Sequence, residues 1–371
     1  MLTLKQIAAA LELNSLSCDD QEITGIAIDS RTVRPGNLFV ALQGQTDGHD
    51  YIPQAITNGA IGVVAVQGKS DPSLSVCHFF VNDTLSALKA IGVYARNQCP
   101  SSQIVAITGS SGKTTVKEYA NILISPFGKT VATEKSFNGS IGVPYSLAHL
   151  SHDTQYAIIE VGMNQRGEIA PLVQMVRPQI AVITAIYPAH TEGVGTLDDI
   201  ALEKSDILSA LTPGCTAILP YDSPYFDFFK NKAEALGADV VSVGLRQGAD
   251  VHLEAFALDG QGAHVQAQIF GEEFSWVLPA YAQHYALNAL FATAIALKMG
   301  LSLAQIKEHI HKISPLPGRG QIEQMTLATG GCVTVIDDSY NANIGSMKGG
   351  LSVLSSLQGK RKIAVLGAMG E

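Results

Sequence analysis

The chain has 371 residues, which is too long for one ordinary hydrophobic core and favours two or three domains. Apolar residues make up 46% of it and charged residues 15%, a balance that excludes a largely disordered protein. The net charge of −9 argues against a general nucleic-acid-binding protein, because such a protein needs a basic surface.

The five cysteines are scattered without a Cys-x-x-Cys spacing, which favours reduced thiols in the cytosol and argues against a zinc site. The N-terminal stretch MLTLKQIAAALELN predicts an amphipathic helix and lacks the features of a signal peptide. No apolar run approaches the roughly 20 residues that a membrane span needs. We therefore expect a soluble cytoplasmic protein.

Residues 1–82 predict a small α/β domain. It opens with the N-terminal helix and continues through a strand-like segment with a polar turn at 23–42. A short helix at 52–60 and a buried strand at 61–66 follow.

Residues 83–313 predict a larger α/β domain. Continuous apolar runs such as IAVITAI suit strands that are buried on both faces, and helical patterns separate them. This alternation predicts right-handed crossovers and a mostly parallel sheet. The predicted strands are 103–108, 156–161, 180–186, 216–220 and 239–243, and the predicted helices are 113–124, 167–175, 198–211 and 225–236. An antiparallel hairpin at 250–278 and two helices at 281–299 and 302–313 complete the domain.

Residues 314–371 predict a linker and the beginning of a third α/β domain. SPLPGRG at 314–320 is typical of a linker, and a hairpin, a helix near 346–358 and a strand, KIAVLG, follow it. Because a strand–helix–strand fragment cannot cover both faces of a sheet, we expect this domain to be incomplete.

The segment ITGSSGKTT at 107–115 carries the strongest functional signal. A predicted strand, a Gly-rich turn, Lys-Thr and a predicted helix are typical of a phosphate-binding loop, although two residues rather than four separate the glycines. Glycines let the backbone approach phosphate oxygens, and the helix start offers N–H groups to an anion. The alternative is a surface turn that caps a helix. The candidate nucleotide-binding residues here are Gly109, Ser110, Ser111, Gly112, Lys113, Thr114 and Thr115.

Three further residues are candidates for catalysis. Glu160 ends a predicted strand, where open α/β sheets bind ligands, and its carboxylate suits Mg²⁺, although a capping or surface acid is the alternative. His190 follows a strand in YPAHTEG, where an ordinary loop histidine is the alternative. Lys204 lies on a predicted helix, where a solvated lysine paired with neighbouring acids is the alternative.

These segments resemble the Mur ligase superfamily, in family order, over essentially the whole chain. TGSSGKTT is similar to the shortened phosphate loop of that family, TGxxGKT(T/S), which accounts for the glycine spacing. In the first domain, residues 29–56 resemble the UDP-binding module of the members that extend the muramyl peptide. The other similar segments are SFNGSIGVP, IIEVGMNQRGEI, ITAIYPAHTEGVGTLDDIALEKSDIL, HYALNALFATAIAL, GRG and DDSYNAN.

The resemblance implies a three-domain α/β architecture. A small UDP-substrate-binding domain at 1–82 would precede a central P-loop domain with a mostly parallel sheet at 83–313. An incomplete Rossmann-like ligase domain would begin at 314–371, so the chain could be inactive.

The resemblance also implies a function, and it is greatest to the members that join D-alanyl-D-alanine to UDP-N-acetylmuramoyl-tripeptide. These members use ATP and Mg²⁺ and form an acyl phosphate, in the cytoplasmic synthesis of peptidoglycan precursors. Members that add the third amino acid usually carry an Asp-Tyr-Ala-His type segment in place of DDSYNAN, and they remain an alternative. A catalytically inactive nucleotide-binding protein of this fold is a second alternative. We expect a monomer that binds no nucleic acid.

The resemblance assigns roles to individual residues. Thr114, Glu160, His190 and Lys204 would bind Mg²⁺, with Lys204 carbamylated so that its amine becomes a carboxylate-like group. Arg319 would reach the γ-phosphate. Further residues would contact nucleotide or substrate: Asn138, Asn288 and Asp338 on ATP, Ser30 and Arg31 on the uridine diphosphate, and Asn341 and Asn343 beside the dipeptide. Two residues depart from the family pattern, Gly139 where a second Asn is frequent and Ile344 where Pro is common.

Overall fold

The computed structural model describes residues 1–13, 19–188, 191–259, 262–328, 330–340, 342, 344–357, 359 and 361–367. Its helices are α1 Leu4–Ala10, α2 Ile52–Thr57, α3 Thr84–Asn97, α4 Lys113–Ile124, α5 Gly142–Ala148, α6 Ile169–Val176, α7 Thr191–Val194, α8 Leu197–Ser205, α9 Phe226–Ala235, α10 Gln283–Lys298, α11 Leu303–Lys307 and α12 Ile344–Ser356. Its strands are β1 Gly25–Ala27, β2 Asn37–Val40, β3 Gly62–Val66, β4 Cys77–Val81, β5 Gln103–Thr108, β6 Thr130–Ala132, β7 Tyr156–Glu160, β8 Ile180–Ile183, β9 Thr216–Pro220, β10 Asp239–Gly244, β11 Val251–Asp259, β12 Gly262–Ile269, β13 Glu272–Leu278, β14 Gln321–Leu327 and β15 Gly331–Asp337.

The chain divides into two compact units. The first is built from two separate stretches, residues 1–102 and 129–159, and the second from residues 103–128 and 160–371. The division into three domains at 82/83 and 313/314 stays a prediction from the sequence.

The first unit contains a parallel sheet in the order β1-β2-β3-β4. The apolar runs NLFV and GVVAV form β2 and β3, which are buried on both faces as expected for parallel strands. The same unit contains the parallel pair β6–β7 and the helices α3 and α5, which pack together so closely that a Cβ at Gly92 would lie 2.6 Å from the carbonyl oxygen of Pro144. Gly92 is therefore required where the two helices meet.

Seven strands of the second unit lie side by side in the order β13-β12-β11-β10-β9-β8-β5. Pairing is parallel from β5 to β11 and antiparallel from β11 to β13. The prediction of a mostly parallel sheet in an α/β fold is confirmed, and β5 and α4 have the predicted bounds. Helix α10 is buried along most of its length and packs against α4.

Several local predictions differ from the structure. Residues 250–278 form three strands rather than a hairpin, because a tight turn with positive φ at Phe270 and Gly271 reverses the chain once more. Helix α11 is shorter than the predicted helix at 302–313. KIAVLG forms no strand, since no strand of the described ranges pairs with residues 361–367.

One described cysteine differs from the expectation of reduced thiols. Cys99, Cys215 and Cys332 are free, whereas Cys77 on β4 is disulfide-bonded. The expectation is therefore wrong for Cys77. Among the described residues no helix has the length and apolar character needed to cross a bilayer.

A candidate nucleotide-binding site between β5 and α4

The loop between β5 and α4 requires its two glycines. Gly112 has φ +86°, in the left-handed region, and a Cβ there would lie 2.8 Å from Oδ1 of Asn288. At Gly109 a Cβ would lie 2.0 Å from Oγ1 of Thr184. Neither position has room for a larger residue, so the backbone N–H groups at the start of α4 are not shielded by side chains from an approaching anion.

The segment that follows β8 fixes the shape of this loop. The hydroxyl of Thr184 donates to the carbonyl of Ser111 at 2.5 Å. The backbone N–H of Ser110 donates to the carbonyl of Ala185 at 2.7 Å, and its hydroxyl donates to the carbonyl of Tyr187 at 2.8 Å. Sequence reasoning missed Thr184, although a threonine directly after an apolar strand is a signal that could have found it.

Two cationic side chains lie at the loop. Nζ of Lys113 donates to the carbonyl of Gly109 at 2.7 Å. Arg319 extends from the predicted linker, and its Nη2 donates to the hydroxyl of Thr114 at 3.2 Å. Together with the partial positive charge at the N-terminus of α4, these side chains form a site suited to a phosphate group. Asn288, on α10, lies beside Gly112, so the structure brings two predicted nucleotide-binding residues, Arg319 and Asn288, to the loop from elsewhere in the chain.

The oxygen donors suited to Mg²⁺ come from two elements. Thr114 and Thr115 are buried in the first turn of α4, and Glu160 is 1% exposed at the carboxyl end of β7. Hydroxyl and carboxylate oxygens are the ligands Mg²⁺ prefers, so these residues fit the ion chemically. Within the described ranges, no cluster of three or more His, Cys, Asp or Glu side chains is arranged to hold a metal. His190 lies outside the described residues.

Lys204 is buried near the end of α8, with 1% of its surface exposed. The neighbouring Glu203 is also buried, and its two carboxylate oxygens accept the backbone N–H groups of Gly167 at 2.7 Å and Ile169 at 3.0 Å. Glu203 therefore ties α8 to the start of α6. The alternative of a solvated lysine does not hold, because Lys204 is enclosed. Its role as a metal ligand stays a prediction.

A connection from α7 to α8 lies next to this buried pair. Nε of Arg166 donates to the carbonyl of Val194 at 2.6 Å, and its Nη2 forms an ion pair with Asp199 at 2.5 Å. Gly195 has φ +110°, and a Cβ there would lie 2.7 Å from the carboxylate of Asp199. Arg166, in the segment after β7, thereby joins that segment to α7 and α8.

Asp338 follows β15 and shares a small cavity with Tyr285 and Gly320. Burial raises the pKa of the Asp338 carboxyl group, and the nearby Arg319 opposes that rise. Asn341 and Asn343, predicted to border the dipeptide, lie outside the described residues.

The remaining candidates belong to the first unit. The buried hydroxyl of Ser30 donates to Oε1 of Gln54 at 2.7 Å. Arg31 is 81% exposed, and its Nη2 pairs with Asp29 at 2.6 Å. Asn138 is half-buried in the stretch 129–159. The structure therefore keeps Ser30 in an internal hydrogen bond and leaves Arg31 at the surface, where an anion can reach it.

Comparison with known proteins identifies the family. Residues 107–296 match the Mur ligase middle domain, and residues 22–96 match the Mur ligase family, catalytic domain. The UDP-N-acetylmuramoyl-tripeptide–D-alanyl-D-alanine ligase of Escherichia coli (strain K12) is 34% identical, over 100% of this chain and 80% of the relative. The ligase of the same name from Synechocystis sp. (strain ATCC 27184 / PCC 6803 / Kazusa) is 36% identical, over 97% and 76%. The crystal structure of MurF from Acinetobacter baumannii has a TM-score of 0.83 at 30% identity, over 96% of this chain and 77% of that chain. The chain therefore belongs to the Mur ligase family.

Proposed function

We propose that this protein is an ATP-dependent ligase that joins D-alanyl-D-alanine to UDP-N-acetylmuramoyl-tripeptide. One observation carries the proposal: a Gly-rich loop at the start of α4, with Lys113 and Arg319 beside it, in a chain 34% and 36% identical to two ligases of that name. The reaction would serve peptidoglycan precursor synthesis, and through it cell-wall growth, cell shape and division.

The proposed reaction has two bond-forming steps. A carboxylate oxygen of the tripeptide attacks the γ-phosphorus of ATP, ADP leaves, and an acyl phosphate forms. The amine of D-alanyl-D-alanine then attacks the acyl carbon, inorganic phosphate leaves, and the amine loses a proton as the amide forms. Phosphoryl transfer depends mainly on positioning and on neutralising charge. In this chain the N–H groups at the start of α4 and the ammonium of Lys113 bind phosphate oxygens. Arg319 adds a second positive charge at the same loop.

Mg²⁺, when bound, neutralises the phosphate charge and orients the transferred group. The hydroxyl of Thr114 and the buried carboxylate of Glu160 are the described residues that would hold it. We propose His190 and a carbamylated Lys204 as further ligands. Carbamylation needs a neutral amine, and it would turn the buried side chain of Lys204 into a carboxylate-like group that can bind Mg²⁺.

The other proposed contacts follow the substrates from the nucleotide to the incoming dipeptide. They are Ser110, Ser111, Asn138, Asn288 and Asp338 on the nucleotide, Ser30 and Arg31 on the uridine diphosphate, and Asn341 and Asn343 beside the dipeptide. Residues 1–82 would bind the UDP substrate, 83–313 would bind ATP, and 314–371 would begin the ligase domain. We further propose that the protein acts in the cytoplasm as a monomer, without nucleic acid.

Calorimetry tests this assignment. UDP-N-acetylmuramoyl-tripeptide and UDP-N-acetylmuramoyl-dipeptide, which lacks the third amino acid, are titrated separately into the protein. Mg²⁺ and a non-hydrolysable ATP analogue are present in both titrations. We expect the tripeptide to bind more tightly. A preference for the dipeptide form would instead assign the protein to the members that add the third amino acid. Nucleotide binding without either muramyl substrate would favour the catalytically inactive alternative.

A further inference from the structure

Arg319 is held between two glycines that turn its side chain towards α4. Gly318 and Gly320 have φ of +69° and +77°, in the left-handed region. The backbone N–H of Arg319 donates to the carbonyl of Leu316 at 2.9 Å, and that of Gly320 donates to the carbonyl of Asp337 at 2.8 Å. The arginine therefore lies at the apex of a tight turn, and its guanidinium group reaches Thr114.

Two tyrosines contact this turn. The hydroxyl of Tyr285, on α10, donates to the carbonyl of Arg319 at 2.9 Å. The ring of Tyr340 lies 4.1 Å from the guanidinium carbon of Arg319, and its backbone N–H donates to the carbonyl of Gly318 at 3.0 Å. One tyrosine thus fixes the backbone of the arginine, and the other carries its charged group on an aromatic face.

The side chain of Tyr285 packs tightly against the turn at Gly320. Tyr285 is buried, and a Cβ at Gly320 would lie 1.8 Å from its hydroxyl oxygen, so no side chain fits at that position. A tyrosine hydroxyl is protonated at neutral pH and can donate, and burial raises the pKa of the Tyr285 phenol further above its ordinary value. Three residues further along α10, Asn288 lies beside Gly112. One rigid helix therefore contacts both the phosphate loop and the turn that carries Arg319.

We infer that Tyr285 is a positioning residue for Arg319: its hydroxyl fixes the turn at 318–320, so that the guanidinium is held at the phosphate loop for the terminal phosphate of ATP. The inference rests on the proposed function, because it assumes that ATP binds at this loop. The Tyr285 hydroxyl contacts the backbone of Arg319, and the guanidinium of Arg319 contacts Thr114, so Tyr285 acts on the loop through Arg319. A merely structural tyrosine would affect triphosphate and diphosphate alike, whereas a positioning role predicts an effect specific to the triphosphate.

The test uses the whole chain with Mg²⁺ and compares two nucleotides, adenosine 5′-(β,γ-imido)triphosphate and ADP, by titration calorimetry. Tyr285→Phe keeps the ring and removes the hydroxyl. We expect Tyr285→Phe to weaken binding of the imidotriphosphate by about two- to tenfold, the range for loss of one hydrogen bond. The affinity for ADP should not change. Arg319→Ala should weaken the imidotriphosphate at least as much.

The double variant decides whether the tyrosine acts through the arginine. Tyr285→Phe combined with Arg319→Ala should bind the imidotriphosphate no more weakly than Arg319→Ala alone. Additive losses would overturn the inference, and so would an equal loss for both nucleotides or no loss in Tyr285→Phe.

Tyr119→Phe is the matched control. Tyr119 lies fully buried on α4, and its hydroxyl has no hydrogen-bond partner in the described part of the chain. Removing that hydroxyl should change the affinity for neither nucleotide. A loss of imidotriphosphate affinity alone in Tyr119→Phe would contradict the assignment to Tyr285.

Gly320→Ala provides a second route to the same contact, because the added Cβ would displace the Tyr285 hydroxyl. This variant should reproduce the loss that is specific to the triphosphate. If the unaltered protein binds neither nucleotide, the proposed function fails and the inference fails with it.

Discussion

Gly112 shows how one residue decides whether the loop can form. Its φ of +86° is costly for any residue with a Cβ, by about 1–2 kcal/mol. The 2.8 Å approach to Asn288 adds a steric conflict to that cost. We therefore expect Gly112→Ala to weaken binding of the imidotriphosphate by at least about tenfold in calorimetry.

Gly214→Ala provides the control for that prediction. Gly214 has a similar φ, +89°, but no atom lies within 4 Å of the position of its Cβ. This variant should lose about 1 kcal/mol of unfolding free energy and keep its nucleotide affinity. Equal affinities for Gly112→Ala and Gly214→Ala would show that the shape of the loop does not matter for binding.

At the scale of elements, Glu203 joins α8 to the start of α6. Both of its carboxylate oxygens accept backbone N–H groups away from solvent. Glu203→Gln replaces one acceptor oxygen with a donor that faces an N–H group. We expect it to lower the free energy of unfolding by about 1–3 kcal/mol in urea denaturation.

Glu234→Gln on α9 makes the same chemical change at the surface. Glu234 is 52% exposed and lies 3.9 Å from Lys230. Loss of the Glu234 charge should lower the free energy of unfolding by no more than about 0.5 kcal/mol. If the two variants unfold at the same urea concentration, the bonds between Glu203 and α6 contribute nothing measurable.

Local patterns were enough to predict some elements and not others. An apolar run, two glycines and a helical pattern predicted β5, the loop and α4, because each signal acts within a few residues. The reversal at Phe270 was missed, since alternation alone does not distinguish two strands from three. Helix α3 was not predicted either, although Asp83 caps it by accepting the N–H of Ser86.

The candidate site could be predicted only in part for the same reason. The phosphate-loop residues adjoin one another in sequence, so a motif finds them. The bonds from Tyr285 to Arg319 and from Glu203 to Ile169 each join residues 34 positions apart. No local pattern encodes such a pair, so Tyr285 and Glu203 became recognisable only in three dimensions.

At the scale of the whole molecule, nucleotide should stabilise the second unit. The loop at 109–112 and Trp276, the chain's single tryptophan, both belong to that unit, so tryptophan fluorescence reports its unfolding. With Mg²⁺ and the imidotriphosphate at about 100 times its dissociation constant, we expect roughly 2.7 kcal/mol of added stability.

Removing Mg²⁺ tests whether the stabilisation by nucleotide depends on the metal. An excess of EDTA should abolish most of the stabilisation, since the phosphate charges would no longer be neutralised by Mg²⁺. The protein without nucleotide is the control, and its fluorescence transition should not respond to EDTA. An undiminished stabilisation with EDTA would contradict the role proposed for Thr114 and Glu160.

The first unit is assembled from two stretches of chain separated by residues 103–128. On the ribosome, helix α3 is complete by residue 97, but its partner α5 does not exist until residue 148 has been added. At about 5–20 residues per second, that interval of 51 residues lasts roughly 3–10 s. During synthesis the nascent chain therefore carries an uncovered face of α3 while the phosphate loop is already being made.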